Sequence, residues 1–258
     1  MLKKVILTVL FLCFLCTGCG NKKALPDDLS TIESRGEIIA GVRHDTRPFG
    51  FKNSSAKPEG YEVDLAGIIA KNLLGSEDKV KFVPVTASDR IMKLNSGKVD
   101  MLIATMSITP QREAILNFSS PYYIAGQAVM VNSSSKATGL MDFAGKKVII
   151  VFGSTSERNV RMNVPEVSVT GYKTYTEAYK ALKAGKAEAM IADDTILLGF
   201  AVNDRSVRIL PKRYSREPYA VVFRKEHSEK LQSKVNMVID NLKSTGQLNR
   251  LQEKWDIR

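Results

Sequence analysis

Cysteine is confined to the start of the chain, at Cys13, Cys16 and Cys19, and does not recur. A disulfide framework, a cysteine zinc site and a cysteine nucleophile are therefore all excluded from the body of the protein. Histidine is almost as scarce, with His44 and His227 the two in 258 residues. No HExxH helix, P-loop or GxGxxG turn is present, so no metal or cofactor site is expected. His44 stands beside Asp45, but adjacent loop residues rarely aim at one point, and His227 in Lys225-Glu226-His227 reads as a solvated turn. Clusters of positive charge are missing too. The formal net charge is +11, yet no run of Lys or Arg exceeds two and acids are interleaved throughout. A nucleic-acid-binding face shows clustering, so this charge fits solubility beside an anionic envelope better.

Long apolar runs are limited to Val5–Cys16, interrupted by Thr8. A membrane-spanning helix needs roughly 20 apolar residues, and this run stops short of that. Lys3 and Lys4 precede it and small residues follow, the pattern of a secretory signal over residues 1–18. Its removal takes two cations and no acid, lowering the formal charge from +11 to +9. Cys19 ends the apolar stretch after Thr17-Gly18 and resembles the lipid-accepting cysteine of a bacterial lipoprotein signal, although Cys16 stands where an aliphatic residue is usual. The chain is accordingly expected on the outer face of the cell membrane, held by a lipid on Cys19.

Residues 19–29 read as a polar tether, with structure expected from a helix capped by Ser30. Ile38–Val42 and Val80–Val85 read as buried strands, and Tyr61–Leu74 as an amphipathic helix stopped by Gly75. An internal pseudo-repeat organises the rest. Residues 91–105, through Ser96-Gly97-Lys98-Val99-Asp100, match residues 179–193, through Ala184-Gly185-Lys186-Ala187-Glu188. Each copy is a helix stopped by glycine and followed by an apolar strand. Ser88 can cap the first helix, and Thr174-x-x-Glu177 forms a capping box for the second. Two α/β lobes of similar build are expected, lobe one from 30–131 and 219–258, lobe two from 132–218, each around a mixed sheet. Two crossing segments would serve as the hinge.

Ligands of open α/β sheets bind beyond the carboxyl ends of the strands, and polar residues gather there. Thr109-Pro110 starts a helix, which puts Arg112 in its first turn beside exposed N–H groups, a ready carboxylate site, with Ser107 just before. Gly153-Ser154-Thr155-Ser156 offers hydroxyls and N–H groups from the other lobe. Asp193 ends the second repeat's strand, while Asp194 reads as a helix cap. Arg112 and Asp193 supply the opposite charges that a desolvated amino acid requires.

Gly60-Tyr61-Glu62-Val63-Asp64-Leu65-Ala66, Ser107–Glu113, Phe118–Tyr123 and Gly246–Trp255 together resemble the bacterial extracellular solute-binding proteins, family 3. The resemblance spans Glu37 to Trp255. It implies a two-lobed, type II periplasmic-binding-protein-like clamp that closes on a free polar amino acid, passes it to an ABC permease and works as a monomer. It would place Arg112, Ser107 and Thr105 on the α-carboxylate, Thr155 and Ser156 beside them, and Asp193 on the ammonium. The loop with Asp45, Arg47 and Phe49 would line the side-chain end; a link to Asp45 is the plainer role for Arg47. Arg90 resembles the arginine of glutamate, aspartate and glutamine binders, and Ala87 replaces a stacking aromatic of other members. On Arg90 an acidic amino acid is expected, with glutamine the alternative and a dehydratase-like enzyme on the same fold a more distant one.

Overall fold

The computed structural model describes residues 27–257, so the signal segment and Cys19 lie outside the described residues. The first helix, Asp28–Arg35, begins earlier than expected, and Asp27 rather than Ser30 caps it, accepting the Ser30 N–H at 3.0 Å. Leu29 and Ile32 are buried by this helix, so residues 27–29, expected as tether, belong to the folded body. Burial of two apolar side chains outweighs the polar composition around them.

Two five-stranded mixed sheets form the two lobes. In lobe one the spatial order is Val80–Pro84, Ile38–Val42, Met101–Ile103, Val222–Arg224, Leu116–Phe118. In lobe two it is Ser168–Tyr172, Lys147–Val151, Ala189–Asp193, Gln127–Asn132, Val207–Ile209. The first three strands of each sheet run parallel, and the next joins antiparallel. The strands of the pseudo-repeat, Met101–Ile103 and Ala189–Asp193, hold the same central place in their sheets. Both deliver their polar carboxyl ends to the space between the lobes.

The lobes are joined where Tyr123–Ala125 pairs antiparallel with Glu217–Tyr219. The first crossing therefore lies at Ala125–Gly126, not near residue 131. Strand Gln127–Asn132 pairs with Ala189–Asp193 and belongs to lobe two. Its apolar composition fits either sheet, and only the pairing decides. Gly126 permits the crossing, because a Cβ there would stand 2.6 Å from the Ser215 carbonyl oxygen.

Lobe one is completed by helices Glu229–Ser244 and Gln247–Lys254. Leu231, Val235, Ile239, Leu248 and Leu251 bury against Ile38, Ala40 and the helix Tyr61–Leu74. Trp255 closes this end, donating its indole N–H to Asp64 at 2.8 Å and meeting the Phe51 ring edge-on.

Candidate functional site

The lobes stand together across the cleft. Gly153 of lobe two has φ +79°, and a Cβ on it would lie 2.3 Å from the Ala87 carbonyl oxygen of lobe one. At the outer edge a Cβ on Gly199 would meet the Arg47 carbonyl oxygen at 2.2 Å. Polar links also span the gap: the Tyr175 N–H donates to Asp45 at 3.2 Å and Arg158 donates to Gln111 at 2.6 Å.

Lobe one supplies cations on rigid supports. Thr109 caps the short helix Pro110–Glu113, with Pro110 at its first position, and accepts the Arg112 N–H at 3.3 Å. The Arg112 guanidinium is then fixed by carbonyls, Ser107 at 2.8 Å and Gly153 at 2.9 Å. Arg90 is 2% exposed, turned inward by helix Arg90–Asn95. It donates to the carbonyls of Ala104 at 2.6 Å, Thr105 at 3.3 Å and Gly153 at 3.3 Å. Its surface alternative is removed, since Asp89 pairs with Lys93 at 2.8 Å instead. Burial, then the nearby charges of Arg112 and Arg43, lower its pKa to about 9.

Beneath Arg90 lies a carboxyl that sequence reasoning missed. Glu62 is fully buried and accepts from the Thr105 N–H and the Tyr122 hydroxyl, both at 2.6 Å. It holds Thr105 in the left-handed region at φ +46°, a conformation uncommon for a β-branched residue. Desolvation pushes the Glu62 carboxyl up to about 7.

Lobe two supplies acceptors. Asp193 is 5% exposed and accepts from the Gln127 amide and the Tyr219 hydroxyl. Burial, and then the charge of Glu217, raise its pKa to about 7. Asp193 itself occupies the cap position of helix Asp194–Ala201. Asp194, expected as that cap, instead accepts the Gly126 N–H at 3.2 Å and pairs with Arg213. The Thr155 hydroxyl sits between Gln127 at 3.2 Å and Glu217 at 3.1 Å, and the Ser156 hydroxyl is buried without a hydrogen-bond partner.

Arg90, Thr105, Ser107, Arg112, Thr155, Ser156 and Asp193 are thus gathered at the meeting of the lobes, with Asp45 at one end. Phe49 is not among them. It is wholly buried in lobe one, edge-on to Tyr61, Tyr123 and Tyr219, because the pull of an aromatic core exceeds that of the cleft. Arg47 is displaced as well, its guanidinium 3.7 Å above the Phe51 ring on the outer lip. The partner of Asp45 is Arg43, at 2.6 Å. Arg43 is fully buried, lies 5.0 Å from the Tyr175 ring centre and keeps one terminal nitrogen, Nη1, without a partner. Arg43 follows directly on the strand Ile38–Val42, the same strand-end rule that points to Asp193. Among the described residues no cluster of His, Cys, Asp or Glu could hold a metal.

A two-lobed α/β clamp with charged groups at the carboxyl ends of both sheets defines a class of solute-binding proteins. The profile of the bacterial extracellular solute-binding proteins, family 3, matches residues 38–257, and the chain belongs to that family. It is 37% identical over 256 residues to the ABC transporter glutamine-binding protein GlnH of Bacillus subtilis (strain 168), covering 95% of this chain and 93% of that one. It is 40% identical over 210 residues to a glutamine-binding protein of Geobacillus stearothermophilus, covering 81% and 80%. A solved ancestral arginine-binding protein bound to glutamine superposes with a TM-score of 0.81 at 36% identity, covering 87% of this chain and 99% of that one.

Proposed function

We propose that this protein captures free glutamine between its lobes and delivers it to the membrane subunits of an ABC importer. Arg112, Ser107 and Thr105 take the α-carboxylate, aided by Ser156 at the start of helix Ser156–Asn163, and Asp193 takes the ammonium. The names of the similar proteins support glutamine, and so does the charge of the cleft. Arg43, Arg90 and Arg112 bring three positive groups, faced by the acids Asp45, Asp193 and Glu217, with Glu62 a fourth acid beneath Arg90. A zwitterion with a neutral side chain adds no net charge to that set, whereas glutamate adds a buried negative charge where acids already match the cations, a costly change.

Read alone, Arg90 favours an acidic ligand. Its guanidinium is instead engaged with backbone carbonyls, which weakens that reading. The Arg43–Asp45 pair carries the assignment. Its unpartnered N–H suits a carboxamide oxygen, and its carboxylate suits the amide N–H₂. Calorimetry with the common amino acids on residues 24–258 tests it. Glutamine should bind at least about tenfold tighter than glutamate, roughly 1.4 kcal/mol. Preference for glutamate would return the assignment to an acidic ligand.

Lipidation of Cys19 belongs to the same proposal, since a tethered monomer stays near its permease. No helix among the described residues is long and apolar enough to cross a membrane. Intact mass of the membrane fraction should show a lipid on an N-terminal Cys19; a mature start elsewhere, without lipid, removes the anchor.

A further inference from the structure

We propose that Glu217, on the second crossing strand, is a positioning residue for the ligand's ammonium group. The inference rests on the cleft being an amino-acid site. Its basis is a chain of hydrogen bonds with a fixed proton direction. The Gln127 amide nitrogen donates to the Thr155 hydroxyl oxygen at 3.2 Å. That hydroxyl lies 3.1 Å from Glu217 Oε2 and donates its single proton there. Glu217 Oε1 accepts from Asn159 at 2.9 Å and from the Ser215 hydroxyl at 2.8 Å. Asn159 can only donate, and a glutamate carboxylate, here 4% exposed, can only accept, so both hydroxyls turn their protons toward Glu217.

The consequence falls on Thr155. A hydroxyl has one proton to give, and Glu217 has taken it, so Thr155 presents only a lone pair to the cleft. An acceptor suits an ammonium and repels a carboxylate. Thr155 therefore belongs with Asp193 at the amino end of the ligand, not with the carboxylate as its place in Gly153-Ser154-Thr155-Ser156 suggests. Asp193 is tied to the same strand, because the Tyr219 hydroxyl donates to it.

Glu217 also acts through space on Asp193. The groups facing Asp193 are Glu217 and Tyr219 on the crossing strand, Asp194 on its own helix, Gln127, Tyr175 and, from lobe one, Arg112. Asp194 is matched by its ion pair with Arg213, which leaves Asp193 and Glu217 facing the one guanidinium of Arg112, so the pocket still attracts positive charge. Protons and the ligand's ammonium compete for it. Glutamine affinity should fall as pH drops through about 7, where the Asp193 carboxyl gains a proton, and it should recover above.

Glu217→Gln tests the assignment, being isosteric and uncharged. Glutamine affinity and the affinity of its deamino analogue, 4-carbamoylbutanoate, are measured between pH 5.5 and 8.5. With Glu217 positioning the ammonium, the variant loses roughly tenfold or more for glutamine and little for the analogue. The midpoint of the glutamine pH profile also shifts to more acid pH. Equal losses for both ligands with an unmoved midpoint would mean that Glu217 is only structural, and would overturn the proposal. Should the variant not fold, Thr155→Val decides, because it removes the acceptor that Glu217 orients. A loss for glutamine with little for the analogue is expected, and equal losses for both overturn the proposal. A wild-type chain that binds no free amino acid would instead sink the reading of the cleft, a separate result.

Discussion

At the scale of single residues, two arginines that look alike in sequence have different work. Arg112 is held by two carbonyls at the start of a helix and borders the gap between the lobes. Arg112→Ala should cost glutamine binding about 2–5 kcal/mol, because the buried carboxylate loses its counter-charge. Arg90 bonds three carbonyls, including that of left-handed Thr105, and sits deeper. Arg90→Ala should therefore weaken glutamine and glutamate by similar factors, roughly 1–3 kcal/mol, through a loosened Thr105. Titration of both ligands decides, and a loss confined to glutamate would make Arg90 a reader of the side chain. Arg112 and Asp193 were legible in the sequence because a Thr-Pro helix start and a polar strand end are local signals. Arg43 was hidden behind the louder pattern of Asp45 and Arg47 two and four residues later. Nothing local says which of two arginines reaches one aspartate. Glu62 was quoted as part of a motif, yet its burial beneath Thr105 depends on contacts some forty residues away.

At the scale of elements, the helix–glycine–strand units were legible because each carries its own punctuation. The capping box is realised in full, with the Glu177 N–H on Thr174 at 3.1 Å and the Thr174 N–H on Glu177 at 3.2 Å. The first unit has no side-chain cap bond. Asp89, not Ser88, occupies the cap position, and its carboxylate accepts the Thr86 N–H at 2.8 Å. Which sheet a strand joins was not legible, as Gln127–Asn132 demonstrates, since sheet membership is a long-range property. The same holds for the approach of one loop to another. Gly153 reads as an ordinary turn residue, but it needs both φ +79° and the absence of a Cβ against Ala87. Gly153→Ala should leave each lobe folded, with about 1 kcal/mol of local strain. Closure should suffer far more, since the Cβ meets rigid backbone. Circular dichroism should be unchanged while glutamine affinity falls at least about tenfold, near 1.4 kcal/mol. Unaltered affinity would mean that this close approach is not used in binding.

At the scale of the whole molecule, two crossing strands and a shared cleft suit a rigid-body closure, and on the proposed reading only the closed state brings Arg112 and Asp193 to one ligand. A ligand can shift such an equilibrium only by its different affinity for the two states. The direct polar links between the lobes include Arg112 and Arg90 to the Gly153 carbonyl, Tyr175 to Asp45 and Arg158 to Gln111. Each contributes only about 1 kcal/mol net, and none gives the Arg112 guanidinium or the Asp193 carboxylate an ion-pair partner. On the proposed reading, the ligand's own carboxylate and ammonium supply that pairing on the Arg112 and Asp193 sides. Glutamine should therefore contract the protein in solution scattering and also stabilise it against unfolding. At a ligand concentration of 100 times Kd the gain should be about 2.7 kcal/mol. Because lobe two is inserted between the segments of lobe one, both lobes should gain and melt in one transition. Gly153→Ala separates the two effects. At the same glutamine concentration it should show little contraction and a much smaller rise in Tm. Full contraction of the wild type without any ligand would contradict this account, because the lobes would then close on their own contacts.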